Sequence, residues 1–276
     1  MRFSDTVKKV LAHFGISVTK NSTFNQLTST SREYDRLSSA IGFLNNVVDN
    51  KLREALGAAV VQKAQIQQDI FVLLALDFKR NGFFVEFGST NGIDMSNSWV
   101  MEKKFAWDGI VAEPGKGWQK ELNRNRACHI SNKCVWKKSN ENILFNETSV
   151  GGFSTIDTFS TRDRHSESRA SGEKYYVETL SLNDLLTSFN APRQIDYLSI
   201  DTEGSEFDIL LSFDFNKWDI SIITVEHNFT DSRKKLQKLL ESNGFIRVFT
   251  SISNYDDWYV KPHLIDRVKN SFLLEM

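Results

Sequence analysis

Phe83 to Pro114 reads FFVEFGSTNGIDMSNSWVMEKKFAWDGIVAEP. An apolar run ends in Glu86 and Gly88. A small polar loop follows, then a helical pattern, then a second apolar run that closes on Glu113. FFVEF and GIVAE are too apolar for half-exposed strands, so these runs predict strands buried on both faces of a parallel sheet. In such sheets ligands sit beyond the carboxyl ends of the strands. Glu86, Gly88, Ser89, Thr90, Asn91, Gly92 and Glu113 are therefore the first candidate binding residues.

The same grammar extends along the chain. ACHIS, IDYLSID and ISIITVE read as further buried strands separated by amphipathic helices, and GFIRVFT with DDWYVKP reads as a C-terminal hairpin. ILFNE and KYYVE predict an extra strand pair, and between them Thr148 to Gly172 is a long polar loop. Loops of that length inside a compact domain are usually functional. Before Phe83 the pattern is helical. Val7, Val10, Leu11 and Phe14 follow a Ser4 cap. Tyr34, Leu37, Ile41, Leu44, Val48, Leu52 and Leu56 form one stripe, which is either a dimer seam or a face packed on the rest of the chain. A last helix from Gln67 to Arg80 is expected to stop at Asn81-Gly82. The expected division is a helical extension over residues 1–66 and an α/β domain over 67–276.

Composition narrows the class. At 40% hydrophobic, 25% charged and a net charge of −1, the chain is an ordinary globular protein and not a general nucleic-acid binder. With Cys128 and Cys134 as the only cysteines, a disulfide scaffold or a four-cysteine zinc site is ruled out within one chain. Neither a membrane span nor a secretory leader is read, and a cytoplasmic location is expected.

The loop after the first strand says which ligand to expect. Its two glycines have three residues between them, so it is neither a G-x-G-x-x-G fingerprint nor a Walker loop. A carboxylate such as Glu86 would repel a phosphate and attract an ammonium. An acid at the position of Glu113 suits ribose hydroxyls. An acid near a cation, a glycine loop and a ribose acid together point to S-adenosylmethionine, which has an amino-acid end, a sulfonium and a ribose but no phosphate.

QIQQDIFVLLALDFKRNGFFVEFG, STNGIDMSNSWVMEKKFAWDGIVAEP, IDYLSIDTEGSEFDIL and ITVEHN stand in that order between about Gln65 and Val260. In these motifs the chain resembles the FkbM family of S-adenosylmethionine-dependent methyltransferases. The resemblance implies a Rossmann-like class I methyltransferase sheet of seven strands, the last antiparallel, and O-methylation, often of sugar hydroxyls. It places the methionine end at Glu86, Gly88 and Gly92, the cofactor carboxylate at the helix start Ser96-Asn97, the ribose at Glu113-Pro114, the adenine near Asn132, Lys133 and Cys134, and the transferring methyl beside Asp201.

Methyl transfer to a hydroxyl needs a base or a metal. Asp201 and Glu226-His227-Asn228 end two successive strands and are placed to converge. They are the catalytic candidates, and Asp201, Glu226 and His227 are also a candidate site for Mg²⁺ or Mn²⁺. His165 in the long loop is a further candidate base. Tyr175, Tyr176, Trp258 and Tyr259 are candidate faces for a sugar ring. The expected acceptor is a sugar or glycan hydroxyl. A non-sugar small molecule, a protein hydroxyl and a non-catalytic scaffold are the alternatives. A homodimer through the N-terminal helices is expected if the apolar stripe is a seam. A nucleic-acid substrate is not expected: no Asn-Pro-Pro-Tyr motif occurs, and Asp201-Thr202-Glu203 puts acids where a base amine wants neutral acceptors.

Overall fold

A computed structural model of the chain describes residue 35 and residues 38–148 and 152–273. The amphipathic helix read around Val7 to Phe14, and the positions Tyr34 and Leu37 of the apolar stripe, lie outside the described residues.

Among the described residues, eleven strands form two sheets. They are β1 (Phe83–Phe87), β2 (Asp108–Ala112), β3 (His129–Ser131), β4 (Cys134–Trp136), β5 (Asn142–Glu147), β6 (Thr155–Ile156), β7 (Glu173–Ser181), β8 (Gln194–Ile200), β9 (Asp219–Glu226), β10 (Ile246–Val248) and β11 (Asp256–Val260). The larger sheet has seven strands in the order β10-β11-β9-β8-β1-β2-β3. All its pairings are parallel except those of β11, which runs antiparallel to both β9 and β10. The chain thus has the expected α/β methyltransferase-type sheet, with its last strand reversed. The C-terminal hairpin forms as read.

Alternation along each strand distributes the core to both faces. Phe84, Val111, Tyr197 and Ile222 point to one apolar cluster. Val85, Ile110, Leu198 and Ile223 point to the other, where helices Leu182–Ser188, Glu206–Leu211 and Ser232–Ser242 cover them. After β1 the chain winds outward through β2 and β3, then returns to the other side of β1 with β8 and β9. That reversal opens a crevice beyond the carboxyl ends of β1 and β8, where the side connections diverge.

The N-terminal reading needs one revision. Residues 38–44 are helical, but the helix breaks at Asn45 and Asn46. Val47 forms an isolated antiparallel bridge with Phe272, and Val48 N–H donates to Ser271 O at 3.1 Å. A new helix, Asp49–Val61, starts after that extended step. The stripe is thus two helical pieces, because the tertiary bridge demands extended backbone where a helix would otherwise continue. Leu44 is buried, and Leu52 and Leu56 pack against the first core cluster, so the described part of the stripe faces its own chain. The next helix, Gln68–Ala75, stops before the Asn81-Gly82 signal. Phe78 N–H bonds Leu73 O at 2.7 Å, with Asp77 and Phe78 both at positive φ. This is a Schellman-like end built without glycine.

The smaller sheet runs β4-β7-β5-β6. Its β5–β7 pair is the predicted extra strand pair, antiparallel from Asn142↔Glu178 to Glu147↔Glu173. The strand β6 and the short helix Ser166–Arg169 lie within what reads in sequence as irregular loop. Among the described residues, no helix is long and apolar enough to cross a membrane.

Phe71 anchors the first core cluster. It stacks on Trp258 at 4.6 Å and meets Phe249 edge-on at 5.9 Å, with no exposed surface. Phe71→Ala is expected to destabilise the chain by about 3–5 kcal/mol. Urea unfolding followed by tryptophan fluorescence should show a lower midpoint at unchanged slope.

Candidate active site

The turn after β1 is held from beneath. Glu86 is buried, and its carboxylate accepts from Ser96 Oγ at 2.9 Å, from Asn97 N–H at 2.6 Å and from Ser98 Oγ. Arg126, fully buried, lies 3.5 Å from Glu86 and donates to Ser96 Oγ at 3.1 Å and Ser98 Oγ at 2.8 Å. A buried carboxylate has to be paired and hydrogen-bonded, and here the partners are internal. Glu86 therefore does not face a ligand. Ser96 and Asn97 are corrected with it, because the N–H groups at that helix start are taken: Asn97 by Glu86, Ser98 and Trp99 by Ser96 Oγ.

The glycines serve packing. Gly88 has φ +76°, and a Cβ there would lie 2.0 Å from the carbonyl oxygen of Asp201. Gly92 has φ +79°, and a Cβ would meet Arg126 Cγ at 2.6 Å and Leu122 Cδ1 at 2.7 Å. At both positions the chain itself fills the space a side chain would need, while the Gly88 backbone also borders the cleft. Asn91 folds its side chain back on Ile93 and Asp94 N–H at 3.0 and 2.9 Å, which shapes the turn. Ser89 Oγ is buried without a hydrogen-bond partner.

Beyond this turn lies a narrow cleft, partly open to solvent. Of the residues read from sequence, Gly88, Thr90, Glu113, Pro114, Cys134 and Asp201 line it. Val135, Phe145 and Ile156 supply an apolar wall from the smaller sheet, which single-sequence patterns did not single out. Lys133 is outside: its ammonium pairs with Glu178 and its N–H donates to Ser131 Oγ at 3.3 Å. Burial pushes the Cys134 thiol up to about 12, so it is inert wall.

Glu113 sits at the end of β2. It accepts from Thr90 N–H at 3.0 Å and from Gly115 N–H at 2.8 Å. Burial raises its pKa to about 7; the two N–H donors oppose this, and Glu147 and Asp201 add to it. Glu147 in turn accepts from Tyr175 O–H at 2.6 Å and Gly117 N–H at 2.9 Å, which ties the smaller sheet to the loop after β2. That is the role of Tyr175. Trp258 and Tyr259 are wholly buried in the two core clusters and offer no ring face, whereas Tyr176 is exposed on its strand.

Three carboxylates meet beside the cleft, and one of them, Asp201, lines it. Asp201 follows β8 and Glu226 closes β9, in adjacent parallel strands whose register pairs Ile200 with Val225. Glu203 joins them, with oxygens of all three within 4.8 Å of one another. Burial, then neighbouring acids, raises Asp201 to about 7 and holds Glu226 well above the usual range. Arg169, from the long loop, donates to Glu203 at 2.7 Å. Burial and Asp201 nonetheless raise the Glu203 pKa against Arg169.

Neither candidate histidine belongs to this cluster. His227 is buried; its Nδ1 accepts from Phe229 N–H at 3.0 Å and its Nε2 faces Asp257 at 3.7 Å. It points away from Glu226 because consecutive residues of a strand end turn to opposite faces. The metal reading therefore loses His227 and takes Glu203 in its place. His165 stacks on Phe153 at 4.0 Å and accepts from Arg164 Nε at 3.1 Å, and the loop reaches the acids through Arg169 instead.

A seven-stranded sheet reversed at β11, with a cleft across its switch point and an acid after β2, defines the class I methyltransferase architecture. The chain belongs to the FkbM family: the FkbM methyltransferase domain matches residues 86–256. It is a methyltransferase by that membership. No curated protein matches the chain. Solved structures with a similar fold include an FkbM methyltransferase from Methylobacillus flagellatus, 9% identical, over 82% of this chain and 58% of that one, with a TM-score of 0.42. The precorrin-6y C5,15-methyltransferase of Geobacter metallireducens is 11% identical over 72% of this chain and 89% of that one, with a TM-score of 0.38.

The raised acids predict a pH-dependent cost in stability. The folded state holds protons on Asp201 between its ordinary value of 3.8 and about 7, where the unfolded state has lost them. Stability therefore falls as pH rises through that window. Asp201→Asn removes the loss, so its melting temperature should exceed the parent's by a few degrees at pH 8, the scale of about 1 kcal/mol in a domain this size. The difference should shrink at pH 4.5 in calorimetric scans.

Proposed function

We propose that the chain is an S-adenosylmethionine-dependent O-methyltransferase acting on a hydroxyl, most specifically of a sugar. The observation that carries this reading is that Glu113 and Asp201 line one cleft, with Glu203 and Glu226 gathered beside Asp201.

The residues fit the cofactor. Each Glu113 oxygen already accepts one backbone N–H and retains lone pairs, so the carboxylate can take two ribose hydroxyls. Its raised pKa makes such donors favourable, because hydrogen bonds to the ionised form hold it charged. Pro114, Val135, Phe145 and Ile156 offer an apolar slot for a flat base. The acid cluster favours a cation beside Asp201. When bound, the cofactor supplies an electrophilic methyl group on a sulfonium.

Asp201 is the residue assigned to the acceptor proton. Its pKa near 7 matches that of an efficient general base at neutral pH. Glu226 is close enough to share its proton, and like charges so near cannot both ionise. Ionised Asp201 is the group that would take the acceptor hydroxyl's proton; the bound cofactor would supply the methyl group, its S–CH3 bond breaking to leave the neutral thioether S-adenosylhomocysteine. A sugar is the acceptor class that the FkbM resemblance implies.

A second reading has one supporting observation. Three carboxylates within 4.8 Å are an oxygen donor set suited to Mg²⁺ or Mn²⁺. Arg169 already takes one Glu203 oxygen, which favours the base.

Two measurements test these assignments. Glu113→Ala should weaken binding of S-adenosylhomocysteine by about 1.5–3 kcal/mol, the range for hydrogen bonds to a charged group, as read by titration calorimetry; unchanged affinity would remove the ribose assignment. With an accepted sugar, turnover should rise with pH through about 7, and Asp201→Asn should lower it by roughly 10²–10⁴-fold. Indifference to EDTA supports the base; loss on chelation with rescue by Mg²⁺ supports the metal.

A further inference from the structure

Arg164 is a positioned cation at the exposed mouth of the acid cluster, linked to Glu203 through Asn228. Its Nε donates to His165 Nε2 at 3.1 Å and its Nη2 reaches Asn228 Oδ1 at 3.5 Å. The guanidinium lies 5.7 Å above the Tyr255 ring. His165 is itself fixed, stacked on Phe153 at 4.0 Å and held by its N–H to Asp163 at 2.8 Å. Burial lowers the His165 pKa, which keeps the ring neutral and able to accept. Asp163, the nearest acid in sequence, is engaged by Arg169 at 2.8 Å. Among the described residues no carboxylate pairs with Arg164, although the neighbouring rim is crowded with them. An exposed arginine usually wanders; this one is held on three sides with its charge unanswered.

The path from Arg164 to the acids is short. Asn228 accepts from Arg164 with its oxygen and donates to Glu203 with its amide nitrogen at 3.2 Å. Asn228 and Phe229 both adopt positive φ, 44° and 57°. For a bulky residue that conformation is an outlier, and such strain persists where the surroundings over-determine it. Here His227 does so, accepting the Phe229 N–H at 3.0 Å and packing its ring edge-on at 5.2 Å. The result is a phenyl ring that is 58% exposed beside the same rim. This gives His227 a positioning role in place of the catalytic one.

We propose that this mouth is an acceptor subsite for an anionic sugar: Arg164 takes a carboxylate or phosphate carried by the acceptor, Phe229 offers a stacking face, and the hydroxyl falls at the Asp201 rim. The inference rests on the sugar-hydroxyl reading above and adds the charge. An anionic acceptor approaching three buried acids needs a fixed cation to overcome their repulsion, and a guanidinium pairs with either oxyanion through two parallel hydrogen bonds.

The test uses the full chain saturated with S-adenosylhomocysteine and three probes: glucose, glucuronate and glucose 6-phosphate, titrated by ligand-detected NMR. At least one acidic sugar should bind about tenfold or more tightly than glucose, and comparison of the two tells carboxylate from phosphate. Arg164→Gln should abolish that preference and leave glucose affinity unchanged. Phe229→Ala should weaken all three alike; unchanged affinities would remove the ring from the subsite. Equal binding of all three by the parent, or a preference that survives Arg164→Gln, would overturn the anionic subsite while the sugar reading stands. No binding by any of the three, with S-adenosylhomocysteine bound, would overturn both.

Discussion

The buried pair Glu86–Arg126 is the constraint on which the site depends. Arg126 reaches in from the end of the helix that follows β2 and, with Ser96 and Ser98, surrounds one oxygen of Glu86, while the Asn97 N–H takes the other. Pairs of this kind contribute little net stability, but breaking one by removing a partner costs about 3–5 kcal/mol. What this pair contributes is position. It pins the turn 88–98 to the end of β1, which seats Gly88 against the Asp201 carbonyl and points Thr90 N–H at Glu113. Glu113 and Asp201 are thereby registered to one another by a charge pair that touches neither.

The second organising feature is an excess of acid. Asp201, Glu203 and Glu226 gather where two parallel strands end side by side, and burial keeps all three from ionising readily. A cluster that lowers stability as pH rises is a poor structural device and a good chemical one. It holds a proton acceptor near neutral pH and favours a cationic neighbour. The long loop between β5 and β7 answers this charge. Arg169 pairs with the cluster from within, and Arg164, five residues earlier, stands at its mouth with no acid paired to it among the described residues.

Much of this was legible in the chain. Continuous apolar runs announced a parallel sheet covered on both faces, and acids at the ends of those runs marked its carboxyl edge. The extra strand pair and the C-terminal hairpin were visible as periodicity. The loop from Thr148 to Gly172 read as a site loop for want of apolar periodicity, and the structure brings its Arg169, not His165, to the acids.

What sequence alone determined is which residues end strands and what chemical type they are: Glu113 after β2, Asp201 after β8, Glu226 after β9. That follows from local patterning, because strand boundaries depend on apolar runs and turn residues close in the chain. What only the tertiary structure decided is where those side chains point and what already occupies them. Glu86 met Arg126 forty positions away, Gly88 met the Asp201 carbonyl, His227 turned toward Asp257, and a bridge between Val47 and Phe272 cut a helix in two. Each is a contact between distant segments. A buried donor, acceptor or charge is satisfied by whatever the fold brings beside it, and spacing along the chain carries no record of that partner.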